Sequence, residues 1–240
     1  MPEITLAIIG TAGRKDDAKR LTTNHFKAMC IVAEGLIEQI NDSNYPITHL
    51  VSGGAAWADH VAVRLFLDKK VPHLRLFMPA AWEDGNYHDN GNKDAYENPG
   101  GTANYYHKLF QNNTGVNSLS DIQIAQAHGA ELIPVLKGFH ARNALVAKSD
   151  FILACTFGQE RLVKPHSGTE DTVRKYLDRV RKEGIFDKSF HYDLNTKSVY
   201  EGCLVSPKES KEDGPEFKKL VKRFPQLAGS RVIGVHSYPP

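Results

Sequence analysis

Near the start of the chain, Ile4-Thr5-Leu6-Ala7-Ile8-Ile9 forms a short, nearly continuous apolar run that ends at Gly10. Such a run, without alternation, is the pattern of a strand covered on both faces, as in a parallel sheet. Beyond a polar turn, Phe26, Met29, Val32, Ala33, Leu36, Ile37 and Ile40 recur at helical spacing and predict a helix that stops around Asn41-Asp42-Ser43-Asn44. The cycle then repeats. His49-Leu50-Val51 predicts a strand, and Ser52-Gly53-Gly54 leads into a helix carrying Val61, Ala62, Leu65 and Phe66, with Lys69-Lys70 as its basic end. His73 to Met78 predicts a third strand, closed by Pro79. Strands separated by helices of this length favour a parallel sheet over a meander.

From Ala80 the rhythm breaks. Asn, Gly, Asp and Tyr dominate residues 86–104, and only Ala103 to Phe110 has a helical pattern. A stretch of this kind inside a compact domain reads as a functional insertion, a lid or a dimer contact. Ser118 or Ser120 suits the cap of a helix running to His128, and Leu132 to Leu136 suits a short strand. Phe139 to Lys148 predicts a helix and Asp150 to Thr156 a buried strand. Gly168 to Glu183 predicts a long amphipathic helix with Val173, Tyr176, Leu177 and Val180 on one face. Phe190, Tyr192 and Leu194, followed by Val199 and Tyr200, predict an antiparallel hairpin, and Arg231 to His236 a last strand.

The expected fold is therefore α/β: one Rossmann-like domain over residues 1–240, with a doubly wound, mostly parallel sheet and a C-terminal β-hairpin addition. An insertion or lid occupies 80–138, and a C-terminal extension occupies 185–240.

Composition narrows the function classes. With 41% hydrophobic and 24% charged residues the chain is an ordinary folding sequence. Thirty basic against 28 acidic residues leave a formal charge of +2, which argues against generic nucleic-acid binding. The local basic excess over Lys211 to Arg223 mixes signs and reads as a solvated helix face. Cys30, Cys155 and Cys203 have the spacing of neither a disulfide framework nor a zinc site, which implies a reducing compartment, and Cys155 reads as a small buried hydrophobe. No leader pattern or membrane-length apolar run is present, so a cytoplasmic protein without a membrane partner is expected. His60, His107, His140 and His166 are scattered without metal-ligand spacing. There is no P-loop run and no serine-hydrolase elbow, so no metal and no cofactor are expected.

The chemistry lies in three turns. In open parallel sheets, ligands bind beyond the carboxyl ends of the strands, where helix N-termini present free amides and a positive dipole end. The first turn is Gly10-Thr11-Ala12-Gly13-Arg14, with an arginine suited to a bidentate phosphate contact. The second is Ser52-Gly53-Gly54-Ala55, followed by Asp59 in the first helical turn. The third is Ser167-Gly168-Thr169-Glu170-Asp171, opening the long helix. Each alone also fits a plain turn or a cap. Three on successive strands of one edge favour a phosphate or nucleotide crevice.

Taken in order, these turns, together with Pro79-Ala80-Ala81-Trp82 and Arg142-Asn143, resemble the SLOG superfamily over roughly residues 4–183. Its YspA- and YpsA-like branches are nearest, with DNA-processing protein A and the LOG phosphoribohydrolases as more distant relatives. The resemblance implies a Rossmann-like fold that holds a nucleotide or nucleotide-derived phosphorylated small molecule, with homodimerisation by analogy. It points to Gly10, Thr11, Gly13, Arg14, Ser52, Gly53, Gly54, Asp59, Arg142, Asn143, Ser167, Gly168 and Thr169 as ligand-binding residues. Trp82 fits either a base-stacking position or the core. The alternative is an N-glycosidic hydrolase acting on nucleoside monophosphates, with Glu170 or Asp171 as the catalytic carboxylate. The hydrolase branch carries its glutamate three residues after the threonine of the last turn, and here Thr172 stands in that place.

Overall fold

The computed structural model describes residues 3–42, 46–135 and 138–206. The strand expected over Arg231 to His236 and the charged segment Lys211 to Arg223 lie outside these residues. In chain order the elements are β1 (Thr5–Gly10), α1 (Asp17–Arg20), α2 (Thr23–Asp42), β2 (His49–Ser52), α3 (His60–Leu67), β3 (His73–Met78), β4 (Trp82–Glu83), β5 (Asn86–Tyr87), α4 (Pro99–Thr114) and α5 (Ser118–Ala127). They continue with β6 (Glu131–Pro134), α6 (Gly138–Val146), β7 (Phe151–Thr156), α7 (Gly168–Glu183), β8 (Ser189–Asp193) and β9 (Ser198–Glu201).

Seven strands form one sheet in the order β6-β3-β2-β1-β7-β8-β9, parallel except for β9, which returns antiparallel to β8 as the expected hairpin. The fold is Rossmann-like. Alternation along each strand builds two apolar layers. From β1, Leu6 and Ile8 join the core shared with α2 and α3, while Ala7 and Ile9 face the core containing Val173, Tyr176 and Val180 of α7. In β7, Leu153 and Cys155 side with the first core and Ile152 and Ala154 with the second. Both faces being covered explains why these strands read as unbroken apolar runs. Cys155 is fully buried among them, and burial pushes its thiol far above the ordinary value.

The chain lays β1, β2, β3 and β6 outward to one edge and then places β7 on the other side of β1. That reversal leaves a switch point between β1 and β7, at the carboxyl ends where the three glycine-bearing turns sit.

Segment 80–138 folds into a short β4–β5 hairpin, two helices and β6, the outermost strand of the main sheet. Its first helix, α4, is longer than the pattern at Ala103 to Phe110 suggested, because Asn98 caps it by accepting from the Gly101 amide and Pro99 fits its first turn. The cap of α5 is Asn117, whose side chain accepts from the Ser120 amide, in place of the expected Ser118 or Ser120. The strand expected at Leu132 to Leu136 begins one residue earlier, at Glu131, and ends at Pro134.

Among the described residues no helix is long and apolar enough to cross a membrane.

Candidate functional site

The turn after β2 is closed by its own carboxylate. Asp59, the residue before α3, reaches back so that one oxygen accepts from the Gly53 amide at 3.1 Å and the Ala55 amide at 3.3 Å. Ser52 Oγ donates to the Asp59 carbonyl at 3.1 Å. Gly54 takes φ 68°, in the left-handed region where glycine is at ease, and its carbonyl accepts from the Tyr87 hydroxyl and from His107 Nε2 at 3.0 Å. The other His107 nitrogen meets Ser118 Oγ at 2.8 Å, so the imidazole is neutral with its proton on Nε2, and burial lowers it to about 3.

Over this turn lies Arg142. Its guanidinium donates to the Gly53 carbonyl at 3.0 Å, and a Cβ on Gly53 would stand 2.7 Å from the guanidinium carbon. A side chain at this position would have to displace the tips of Arg142 and Asp59. Burial pushes the Asp59 carboxyl up, opposed by Arg142 and by the two amides; burial also lowers Arg142, opposed by Asp59. Each offsets part of the other's burial cost without a direct ion pair among the described residues, and burial prevails at both. Arg142 also donates to Asn143 Oδ1 at 2.9 Å, and Asn143 Nδ2 donates to the Gly168 carbonyl at 3.2 Å and to Asp171 at 2.9 Å. A single relay thus ties the β2 turn to the start of α7.

The turn after β1 is different. Thr11 Oγ1 donates to Asp17 at 2.7 Å, accepts from the Gly13 amide, and is buried. Lys164, from the loop after β7, grips the other Asp17 oxygen at 2.6 Å, so that the two loops flanking the switch point are joined by an ion pair. Arg14 stays exposed. Its guanidinium carbon lies 5.1 Å from the Tyr106 ring centre and 5.0 Å from that of Phe139, while Arg142 lies 5.5 Å from the same Phe139 ring. Among the described residues Arg14 has no carboxylate partner.

Arg14, Arg142, Phe139, Tyr106, Ala12 and Gly54 line a crevice with a cavity of about 10 Å³, room for roughly one water. No hydrogen bond among the described residues engages the amides of Ala12, Gly54 or Ala56 along its wall.

The third turn joins through the relay and through Lys164. The Ser167 hydroxyl is engaged as the cap of α7, accepting from the Glu170 amide at 3.0 Å and donating to the Lys164 carbonyl at 2.7 Å. Glu170 is buried and accepts from the His166 amide, from Arg174, and from the amide and hydroxyl of Ser206. Burial pushes its carboxyl up, but these donors outweigh burial and leave it below the ordinary range. Asp171 is shifted down in the same way, its burial outweighed by Lys175, Asn143 and His140. Both carboxylates are held by neighbouring groups outside the crevice lining, and Thr172 donates to the Gly168 carbonyl at 3.0 Å. Trp82 is half-buried, edge-on to Tyr87 at 5.1 Å, and it does not line the crevice.

Backbone strain gathers on the same edge. Among the non-glycine residues with positive φ, Lys15, Trp57, Glu160 and His166 lie in the loops after β1, β2 and β7. Residues held so concentrate where loops are shaped for function. The structure brings together Gly54, Arg14 and Arg142, and adds Tyr106 and Phe139, which sequence reasoning missed. Their aromatic type at helical positions gives the signal of core packing. The support of Tyr87 and His107 for the β2 turn was missed because both lie in the segment where the strand–helix rhythm of the sequence breaks.

A protein of Acanthamoeba polyphaga mimivirus, uncharacterized protein R261, is 38% identical over 178 residues, spanning 73% of this chain and 92% of the viral protein. The chain belongs to the same family as that viral protein. No family model matches the chain.

Proposed function

We propose that this protein binds a nucleotide or nucleotide-derived phosphorylated small molecule, as the SLOG resemblance implies, with the phosphate at the Arg14 side of the crevice. One observation carries the reading: Arg14 is a guanidinium stacked against two aromatic rings, without an anionic partner among the described residues, beside a second guanidinium and unengaged amides. Such a grouping suits phosphate oxygens, which accept from a guanidinium fork and from backbone amides together. Arg142 contributes less, since its guanidinium is already committed to the Gly53 carbonyl and Asn143. The hydrolase alternative needs a carboxylate at the ligand, whereas Glu170 and Asp171 are saturated by other donors.

Calorimetric titration with mono-, di- and cyclic nucleotides and ADP-ribose tests this. A stoichiometric isotherm with at least one of them is expected, weakened about tenfold or more in Arg14→Gln, the loss of one charge-assisted contact. Silence across the whole set would sink the reading.

A further inference from the structure

Tyr106 is a wall shared by two spaces. On one side lies the arginine crevice, too small in this conformation for more than about one water. On the other, segment 80–138 builds an open cleft of about 360 Å³, walled by Tyr105, Tyr106, Thr102, Lys93, Asn92 and Asp89. We propose that this cleft seats the nucleoside end of the ligand, with the base against Tyr105 and the phosphate reaching past Tyr106 to Arg14. The inference rests on the crevice reading above.

The polarity of the two spaces gives the ligand its direction. At the crevice, two guanidiniums attract an anion. In the cleft, the Lys93 ammonium is offset by the exposed Asp89 carboxylate, and the Asn92 and Asn98 side chains are engaged within the loop, so no net charge draws a phosphate there. A nucleotide matches this order, with anionic oxygens at one end and a planar ring, amino groups and ribose hydroxyls at the other. Tyr105 is 58% exposed, and it meets Tyr106 edge-on at 5.2 Å, leaving it accessible for stacking. Every base has a π-face that such a ring accepts. Cleft size also fits, since small-molecule sites typically start at about 300 Å³.

The cleft is built before any ligand arrives. Asn98 Nδ2 donates to Asp89 at 2.6 Å and to the Asn92 carbonyl at 2.9 Å, while Asn98 Oδ1 accepts from the Gly101 amide at 2.9 Å. A Cβ on Gly100 would collide with the His88 carbonyl, so the loop closes tightly on the start of α4. Seating the base then needs little loop ordering, which favours affinity, while the crevice has to widen for the phosphate.

The test is calorimetry with AMP, GMP, CMP, UMP and ribose 5-phosphate on wild type, Tyr105→Ala and Tyr105→Phe. Tyr105 is a surface position of α4, and circular dichroism checks that each variant folds. The expected result is a nucleotide bound more tightly than ribose 5-phosphate by wild type. Tyr105→Ala should weaken it about ten- to hundredfold, while Tyr105→Phe retains it and ribose 5-phosphate is unaffected by either change. Equal nucleotide affinity in wild type and Tyr105→Ala, or ribose 5-phosphate bound as tightly as the nucleotide, overturns the cleft assignment and leaves the crevice reading standing. No nucleotide bound by wild type, in this panel or among the di- and cyclic nucleotides and ADP-ribose above, removes both.

Discussion

The turns after β1 and β2 share glycines and a place on the same sheet edge, yet they meet charge in opposite ways. After β2, the anion is internal: Asp59 fills the amides of Gly53 and Ala55, and Arg142 covers it. After β1, Asp17 is answered by Thr11 and Lys164, while Arg14 is left facing outward between two rings. A glycine turn beyond a strand therefore does not declare an anion site by itself. What decides is whether a carboxylate a few residues on closes the turn from within.

Four perturbations sharpen this contrast, from the largest effect on stability to the smallest. Arg142→Met removes the guanidinium that donates to the Gly53 carbonyl and to Asn143, and with it the positive charge that opposes the burial of Asp59; it is expected to cost about 2–4 kcal/mol in denaturant unfolding. Adding Asp59→Asn to it should restore the electrostatic part of that loss; no recovery would mean that the cost lies in the hydrogen bonds alone. Acid should act next through His107, whose folded value of about 3 lies below its ordinary 6.5 because of burial. The folded state holds the ring neutral, so stability is full above pH 6.5 and falls as pH drops toward 3. The slope from this ring approaches roughly 1.4 kcal/mol per pH unit. His60, also lowered by burial, adds in the same direction. His107→Gln should flatten the profile, and an unchanged slope would remove the assignment. Tyr87→Phe deletes one of two donors to the Gly54 carbonyl and should cost about 1 kcal/mol, read as a shift in urea midpoint. Arg14→Gln, at the open turn, should move stability by less than about 0.5 kcal/mol. If it destabilised as much as Arg142→Met, the two turns would not differ as described.

The sheet was legible because its strands are covered on both sides and punctuated by glycine or proline. The bounds of β3 and α7 match the pattern, α7 because Ser167 caps it and Gly184 ends it at φ 66°. The insertion was not. Pro99-Gly100-Gly101 reads as a breaker until Asn98 supplies a cap and the His88 carbonyl leaves no room for a side chain at Gly100. At the site, Arg14, Arg142 and Asn143 could be picked from their chemistry and order. The partners of Thr11, Ser52 and Ser167 could not, since their hydroxyls are engaged by groups that only the folded turns bring near. Asp59 read as a residue of the first helical turn, and its reach back to two amides exists only once Gly53 and Gly54 bend the chain.

The carbonyl of Gly54 carries a consequence for how this architecture is inherited. Both of its donors, Tyr87 and His107, come from segment 80–138, while the turn they complete belongs to the central sheet. Insertion and turn therefore form one heritable unit. Trimming the segment in a descendant, or transplanting it onto a shorter scaffold, succeeds only if the recipient turn changes with it.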